Sequence, residues 1–333
     1  MSVVNEPGDE VAVQAVEAAV DSLSRVKEAV ATVVYGQERV VEEALVTLLA
    51  GGHGLLVGVP GLAKTRLVET LGIVLGLSQK RVQFTPDLMP SDVLGSEVLD
   101  DAGDGRRSFR FIRGPVFAQL LMADEINRAS PRTQAALLQA MQERKVTVAG
   151  EDHDLPRPFH VLATQNPVEQ EGTYPLPEAQ LDRFLLQIDV EYPSEAAERR
   201  MMLVTTGAVE TIVPSVADPR MLDSWQRVVR RLPIGEQVVD AILKLVRAAR
   251  PGSGALPDLD RLLAWGAGPR ASQALALAVR ARALLDGRVA PSLEDVKALA
   301  RPVMRHRIAP SFAARADGID ADELIRRLLA HAL

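Results

Sequence analysis
The chain has 333 residues, 47% of them hydrophobic, enough for a full α/β domain and a smaller companion with its own core. It contains no cysteine, which excludes disulfides, thiolate zinc sites and cysteine nucleophiles. A net charge of −6 and only 4% aromatic residues weigh against a polyanion-binding surface or a base-stacking platform, so no nucleic-acid partner is expected.

The start, MSVVNEPGDEVAV, is acidic and lacks the basic segment of a secretory signal. No later apolar run approaches the ~18 residues of a membrane span, so a cytoplasmic location without membrane insertion is the expectation. Residues 1–8 read as frayed. Residues 10–33 then carry Val13, Val16, Ala19, Val20, Leu23, Val26 and Val30 at helical spacing, and residues 1–33 form an N-terminal helical extension. A second helix is predicted over 38–49. A short apolar run at 53–59 ends in the glycine-rich stretch VGVPGLAKTR, and 64–76 is helical again, giving strand, loop and helix in succession. Further short aliphatic runs at 81–84, 119–123, 159–164 and 184–190 alternate with helical segments, as in a parallel sheet covered on both faces. Ser130 and Pro131 open one of those helices, serine as cap and proline at the first helical position.

Two stretches interrupt this alternation. Residues 90–115 read as two alternating arms around an Asp/Gly-rich turn, a β-hairpin inserted into the α/β unit. Residues 145–158 repeat the pattern on a smaller scale. After about residue 206 the strands stop, and helices are expected at 219–231, 236–250, 257–265, 271–286, 292–305 and 320–333. The domain expectation is therefore an α/β core over 34–206 and an all-α domain over 207–333.

The loop at 57–66 fits the phosphate-binding pattern G-x-x-x-x-G-K-[ST] through Gly58, Lys64 and Thr65, with Ala63 where a glycine is usual. Such a loop surrounds phosphate oxygens with backbone N–H groups at a helix N-terminus, so Gly58, Pro60, Gly61, Leu62, Ala63, Lys64, Thr65 and Arg66 are candidate nucleotide contacts. Ala63 stands at the helix entry, where a negative φ would accommodate its methyl group. The run LLMADE, residues 120–125, is a hydrophobic strand ending in two carboxylates. Beside a phosphate loop, Asp124 would hold Mg²⁺ together with Thr65, and Glu125 would polarise the attacking water; on its own the pair could equally be solvated surface.

The stretches GVPGLAKT, LLMADEINRASPRTQAALLQAMQERKVTV, ATQNP and EAQLDRF resemble the MoxR family of AAA+ ATPases, and the resemblance covers essentially residue 34 to the C-terminus. In that family alanine commonly precedes the loop lysine. The resemblance implies an AAA+ P-loop αβα core with a parallel five-stranded sheet, the two inserts as β-hairpins, and an all-α lid. It implies ATP/ADP and Mg²⁺ as ligands and a ring, hexameric by resemblance, that acts on a client protein with a von Willebrand factor A domain protein as partner and aids metal or cofactor insertion. Asn166 resembles the sensor-1 residue, Arg183 the finger reaching a neighbour's γ-phosphate, and Arg270 the sensor-2 arginine on the phosphates of its own subunit. Gly268 replaces a serine of the family pattern, which alters local helix capping. Tyr35, Gly36 and Gln37 resemble the segment along the adenine. Two other readings share these residues: a nucleic-acid-translocating AAA+ motor, and a chelatase-like motor subunit. Arg106, Arg107, Arg110 and Arg113 cluster in the first insert and Arg128 follows the acidic pair; each could be a solvated face or a contact surface. His53, His153, His160, His306 and His331 show no ligand spacing, so no protein-bound zinc is expected.

Overall fold
The computed structural model describes residues 7–101, 107–169, 171–207, 212–255 and 257–333. Helix α1 (Pro7–Ala31) presents Val16, Ala19, Leu23, Val26 and Val30 as one buried stripe, and α2 (Glu38–Leu49) follows. Strand β1 (Gly54–Val57) leads through the glycine-rich loop into α3 (Lys64–Val74) and then β2 (Gln79–Gln83). The first insert comprises a one-turn helix, α4 (Pro90–Leu94), and the hairpin β3 (Gly95–Asp101) and β4 (Arg107–Arg113). Strand β5 (Leu120–Asp124) and α5 (Pro131–Glu143) precede the second hairpin, β6 (Lys145–Val148) and β7 (Glu151–Asp154). The core closes with β8 (His160–Gln165), the short α6 (Glu178–Leu181), β9 (Leu186–Asp189) and α7 (Glu195–Thr205).

The five core strands form one parallel sheet in the order β2-β5-β8-β1-β9. Its inner strands alternate between two separate apolar clusters. Leu56, Leu120, Met122 and Leu162 face one, with α1, α2, α3 and the helices that follow the core; Leu55, Leu121, Ala123, Val161 and Ala163 face the other, with α5. This period-two division is what a sheet covered on both sides requires. The edge strand β2 departs from the expected aliphatic run: only Val82 is buried, and its charged neighbours guard the open edge.

Helices α8 (Pro219–Arg231), α9 (Glu236–Ala248) and α10 (Pro257–Leu262) begin the lid, followed by strand β10 (Leu263–Trp265) and α11 (Pro269–Leu285). Helix α12 (Leu293–Met304), strand β11 (Ala309–Pro310), α13 (Phe312–Ala316) and α14 (Ala321–Ala332) complete the chain. The helical lid carries one addition that periodicity did not announce, the two-stranded antiparallel pairing of β10 with β11. Its helices share a single apolar cluster with α1, α2 and β9, so the lid sits behind the core. Among the described residues no helix is long and apolar enough to cross a membrane.

In the first insert, residues 90–94 turn out helical: Pro90 opens the turn, the Asp92 carboxylate accepts the Met89 N–H at 2.8 Å, and Gly95 at φ 101° ends it. The two hairpins meet where Phe111 of β4 stacks on His153 of β7, ring centroids 4.2 Å apart. Ser130 caps α5 as expected, accepting from Thr133 N. Of the expected frayed start over residues 1–8, Pro7 and Gly8 already belong to α1 while residues 1–6 lie outside the described residues, as do the hairpin tip with Arg106 and residues 208–211 beside the expected boundary at 206.

Candidate nucleotide site
The phosphate loop emerges from the carboxyl end of β1, which is flanked by β8 and β9, the place where open α/β sheets receive ligands. Gly58 is confined by packing: a Cβ there would stand 2.6 Å from the Val190 carbonyl. Gly61 has open space but a φ of +85°, so it serves the turn of the backbone. Ala63 corrects the expectation of a negative φ. It adopts φ 56°, ψ 20°, left-handed, immediately before Lys64 opens α3. The reason is loop closure: a left-handed residue before right-handed ones turns successive N–H groups to one side, forming an anion-binding concavity. Lys64 donates to the carbonyls of Gly58 and Val59. Half-burial holds its pKa below the ordinary value, against the upward pull of Asp124, Glu125 and Glu169. A constrained glycine, a ring of loop amides and a lysine at a helix start fit a triphosphate.

At the end of β5 the two carboxylates are separately restrained. Asp124, buried, accepts from Arg81 Nε at 3.1 Å and its NH2 at 2.6 Å on one oxygen, and from the Thr164 hydroxyl at 2.5 Å on the other. The same Thr164 oxygen accepts the Glu125 N–H at 2.8 Å, tying β8 to the turn after β5. Glu125 sits at φ 55°, ψ 49°, with Oε2 accepting from Gln83 at 2.6 Å and Arg128 at 3.0 Å. A left-handed glutamate is costly, and its persistence at this turn marks a position fixed by its surroundings. Thr65 at the start of α3 and Asp124 at the end of β5 carry oxygen donors of the kind a hard cation takes.

Asn166, buried, follows β8, whose Gln165 carbonyl accepts the Gly58 N–H at 3.2 Å; its side-chain oxygen accepts Val168 N–H at 3.1 Å. Because β8 lies between β5 and β1, Asn166 falls between the acidic pair and the loop. Tyr35, Gly36 and Gln37 gather at the exit of β9. Gly36 lies against Ala197 of α7, Gln37 donates to the Glu191 carbonyl at 2.8 Å, and Arg200 stacks 5.1 Å over the Tyr35 ring.

Arg183 is at the other end of the sheet. Leu185 N–H reaches the His53 carbonyl and Val190 N–H reaches the Val57 carbonyl, so Leu185–Val190 runs beside the whole of β1. Five strand residues rise about 16 Å, which separates Arg183 from its own phosphate loop by more than an arginine spans. Its Nε is buried without a hydrogen-bond partner. Arg270 corrects the expectation of contact with its own subunit's phosphates. It stands 3.7 Å from Asp182, next to Arg183, because the lid packs behind the sheet and over its amino end. Arg144, Arg183 and Arg270 line one open cavity of about 310 Å³ there. Gly268 caps α11 without a side-chain bond, as expected of a glycine in place of serine.

A family model described as "ATPase family associated with various cellular activities (AAA)" matches residues 53–186, and one described as "AAA lid domain" matches 259–328. Chaperone MoxR1 of Mycobacterium tuberculosis is 42% identical over 313 residues, 94% of this chain and 82% of that protein. The chain belongs to the MoxR family of AAA+ ATPases. Protein MoxR of Methylorubrum extorquens is 33% identical, over 86% of this chain and 88% of its own. A solved structure from Cytophaga hutchinsonii superposes with a TM-score of 0.90 at 36% identity, covering 98% of both chains.

In this MoxR-family chain several residues around the site escape sequence reasoning. Arg81 and Gln83 hold the two carboxylates from β2, and Thr164 braces them from β8; nothing local to either strand signals this, because it depends on β5 lying between them. Of the residues without a role, Arg128 pairs with Glu125, Arg110 pairs across the hairpin with Asp100 at 3.0 Å, and Arg113 lies 5.3 Å over Phe117. The insert arginines are thus partly spent within the hairpin. Three histidines are core residues. His53 accepts Val161 N–H and faces the Met141 carbonyl, His160 bridges the Gly52 carbonyl and Gln226 of α8, and His306 meets the Phe184 carbonyl. Burial drives all three pKa values down, to about 3 for His53 and about 4 for His160.

Proposed function
We propose that this chain hydrolyses ATP, with Mg²⁺, at the junction between two of its own copies, and couples the cycle to remodelling of partner proteins. The observation that carries the reading is the placement of Arg183 with Arg270 at the amino end of the sheet, beyond reach of their own loop at the carboxyl end. A head-to-tail contact between copies brings the two ends together, and such contacts close into rings. A six-membered ring, a von Willebrand factor A domain partner and a role in metal or cofactor insertion follow the resemblance.

In the reaction, the loop amides and the start of α3 receive the phosphates, and Lys64 swings from its loop carbonyls to the terminal phosphate oxygens. Thr65 and Asp124 would hold Mg²⁺, which when bound neutralises charge on the triphosphate. Glu125 accepts a proton from the attacking water and Asn166 orients that water. As the bond to the leaving diphosphate breaks, charge on the transferred phosphoryl oxygens meets the neighbour's Arg183 and Arg270.

Turnover per subunit, measured over a range of protein concentrations, should fall on dilution. Arg183→Ala should lose about 10³-fold or more in kcat while binding nucleotide normally. Mixing it with Lys64→Ala should restore turnover at interfaces pairing an intact loop with an intact finger. Full-rate hydrolysis by dilute monomer, or a mixture no more active than its parts, would overturn the reading.

A further inference from the structure
The finger segment is held by a residue far from it in sequence. Arg307, which follows α12, is only 4% exposed and spends all its N–H groups. Its Nε donates to Asp182 Oδ1 at 2.7 Å; NH2 donates to the carbonyls of Asp182 at 3.3 Å and Phe184 at 2.6 Å; NH1 donates to the Leu185 carbonyl at 3.1 Å and to that of Val303. His306 adds a contact to the Phe184 carbonyl at 3.0 Å. Both neighbours of Arg183 in the chain are therefore pinned by one lid residue, while the Arg183 Nε is left without a partner. The other Asp182 oxygen faces Arg270, so this carboxylate sets the spacing of both arginines.

We propose that Arg307 is the positioning residue of the arginine finger: its four-bond clamp on Asp182, Phe184 and Leu185 fixes the backbone that presents Arg183 to the neighbouring copy. The inference rests on the intersubunit reading above. A guanidinium suits the task because its five donors lie in one rigid plane, whereas an ammonium offers three on a flexible stem. It also places the finger under the control of the lid, since Arg307 and His306, which contact the finger's neighbours, directly follow α12, and α12 is tied to the exit of β9 by Arg301 and Arg305 on Asp189.

The clamp also satisfies carbonyls just past α6, so a purely structural role must be separated from a positioning one. The test is Arg307→Lys in the full-length protein, with Asp182→Asn as a milder second variant that keeps the carbonyl contacts. Misplacement of a catalytic group by about 1 Å can cost 10²-fold, so Arg307→Lys should lose about 100-fold in kcat with KM for ATP little changed. Asp182→Asn should lose less, in the same pattern. The defect should map to the finger-donating side. Mixed with Lys64→Ala protein, whose finger is intact, Arg307→Lys should regain turnover, because roughly a quarter of randomly formed interfaces then pair a good loop with a good finger. Rescue of Arg183→Ala by Lys64→Ala without rescue of either clamp variant would overturn this proposal and leave the intersubunit reading standing. Failure of the Arg183→Ala mixture would sink both. Near-normal kcat in Arg307→Lys and Asp182→Asn would also overturn it.

Discussion

The three core histidines make acid stability a sharp test of how core and lid are joined. Each is neutral in the fold and basic once released, so the unfolded chain binds more protons. Stability is therefore complete above the unfolded value of about 6.5 and declines as pH falls below it, continuing to about 4 for His160 and about 3 for His53. Each group contributes at most about 1.4 kcal/mol per pH unit, so all three together give a limiting slope of about 4 kcal/mol per unit. From pH 7.5 to 5 the loss reaches about 6 kcal/mol, comparable with the 5–15 kcal/mol that holds a typical domain together. Protonation of His160 has a further consequence, because its Nε2 accepts from Gln226 at 3.0 Å, and Gln226 also donates to the Leu48 carbonyl at 2.8 Å. A second donor at that position forces the amide over and costs the lid its bond to α2. Urea unfolding followed by circular dichroism at pH 7.5, 6.5, 5.5 and 5 measures the slope, and His160→Gln should reduce it by about one third. A stability that changes by less than about 1.5 kcal/mol between pH 7.5 and 5 would show that these imidazoles are not held neutral.

Other outcomes follow from the site. Glu125→Gln should bind nucleotide and keep its fold, since the side chain is partly exposed, while kcat falls about 10²- to 10⁴-fold; turnover close to normal would remove Glu125 from the reaction. Gly58→Ala should weaken nucleotide binding by about tenfold or more, because a methyl group 2.6 Å from the Val190 carbonyl pushes the loop off β9; titration with a fluorescent nucleotide measures it. Ala63→Gly should raise the melting temperature by a few degrees with binding intact, as the left-handed penalty of about 1–2 kcal/mol exceeds the entropic cost of glycine of about 0.4–1 kcal/mol. Arg81→Gln should sharpen the Mg²⁺ dependence, because protein donors occupy three of roughly four lone-pair positions on Asp124 and two of them belong to Arg81; a weaker Mg²⁺ response would instead give Arg81 an orienting role.

The phosphate loop, the acidic pair and the doubly covered sheet were legible because each is a contiguous pattern: a spacing of glycine and lysine, a hydrophobic run ending in carboxylates, short aliphatic strands between helices. What surrounds them was not. Arg81 and Gln83 lie some forty residues from the carboxylates they hold, and only strand order brings β2 beside β5. The hand of Ala63 is set by closure of the loop, which no propensity records. Arg270 was placed correctly at the head of a lid helix and wrongly against its own subunit's phosphates, since amphipathic periodicity says which stripe of a helix is buried and not which side of the sheet buries it. Arg307 reads in sequence as one more surface arginine. Its burial depends on carbonyls contributed by a segment about 125 residues earlier.

Strand β9 makes each copy a lever with two working ends. At its exit, Val190 touches Gly58 and the chain turns toward Gln37 and Tyr35; at its entrance stand Phe184 and Arg183. The span between is a short edge strand paired along its length with β1, which holds the two tips at a fixed separation. On the intersubunit reading proposed above, what one copy has bound would be passed to the next copy in a single direction.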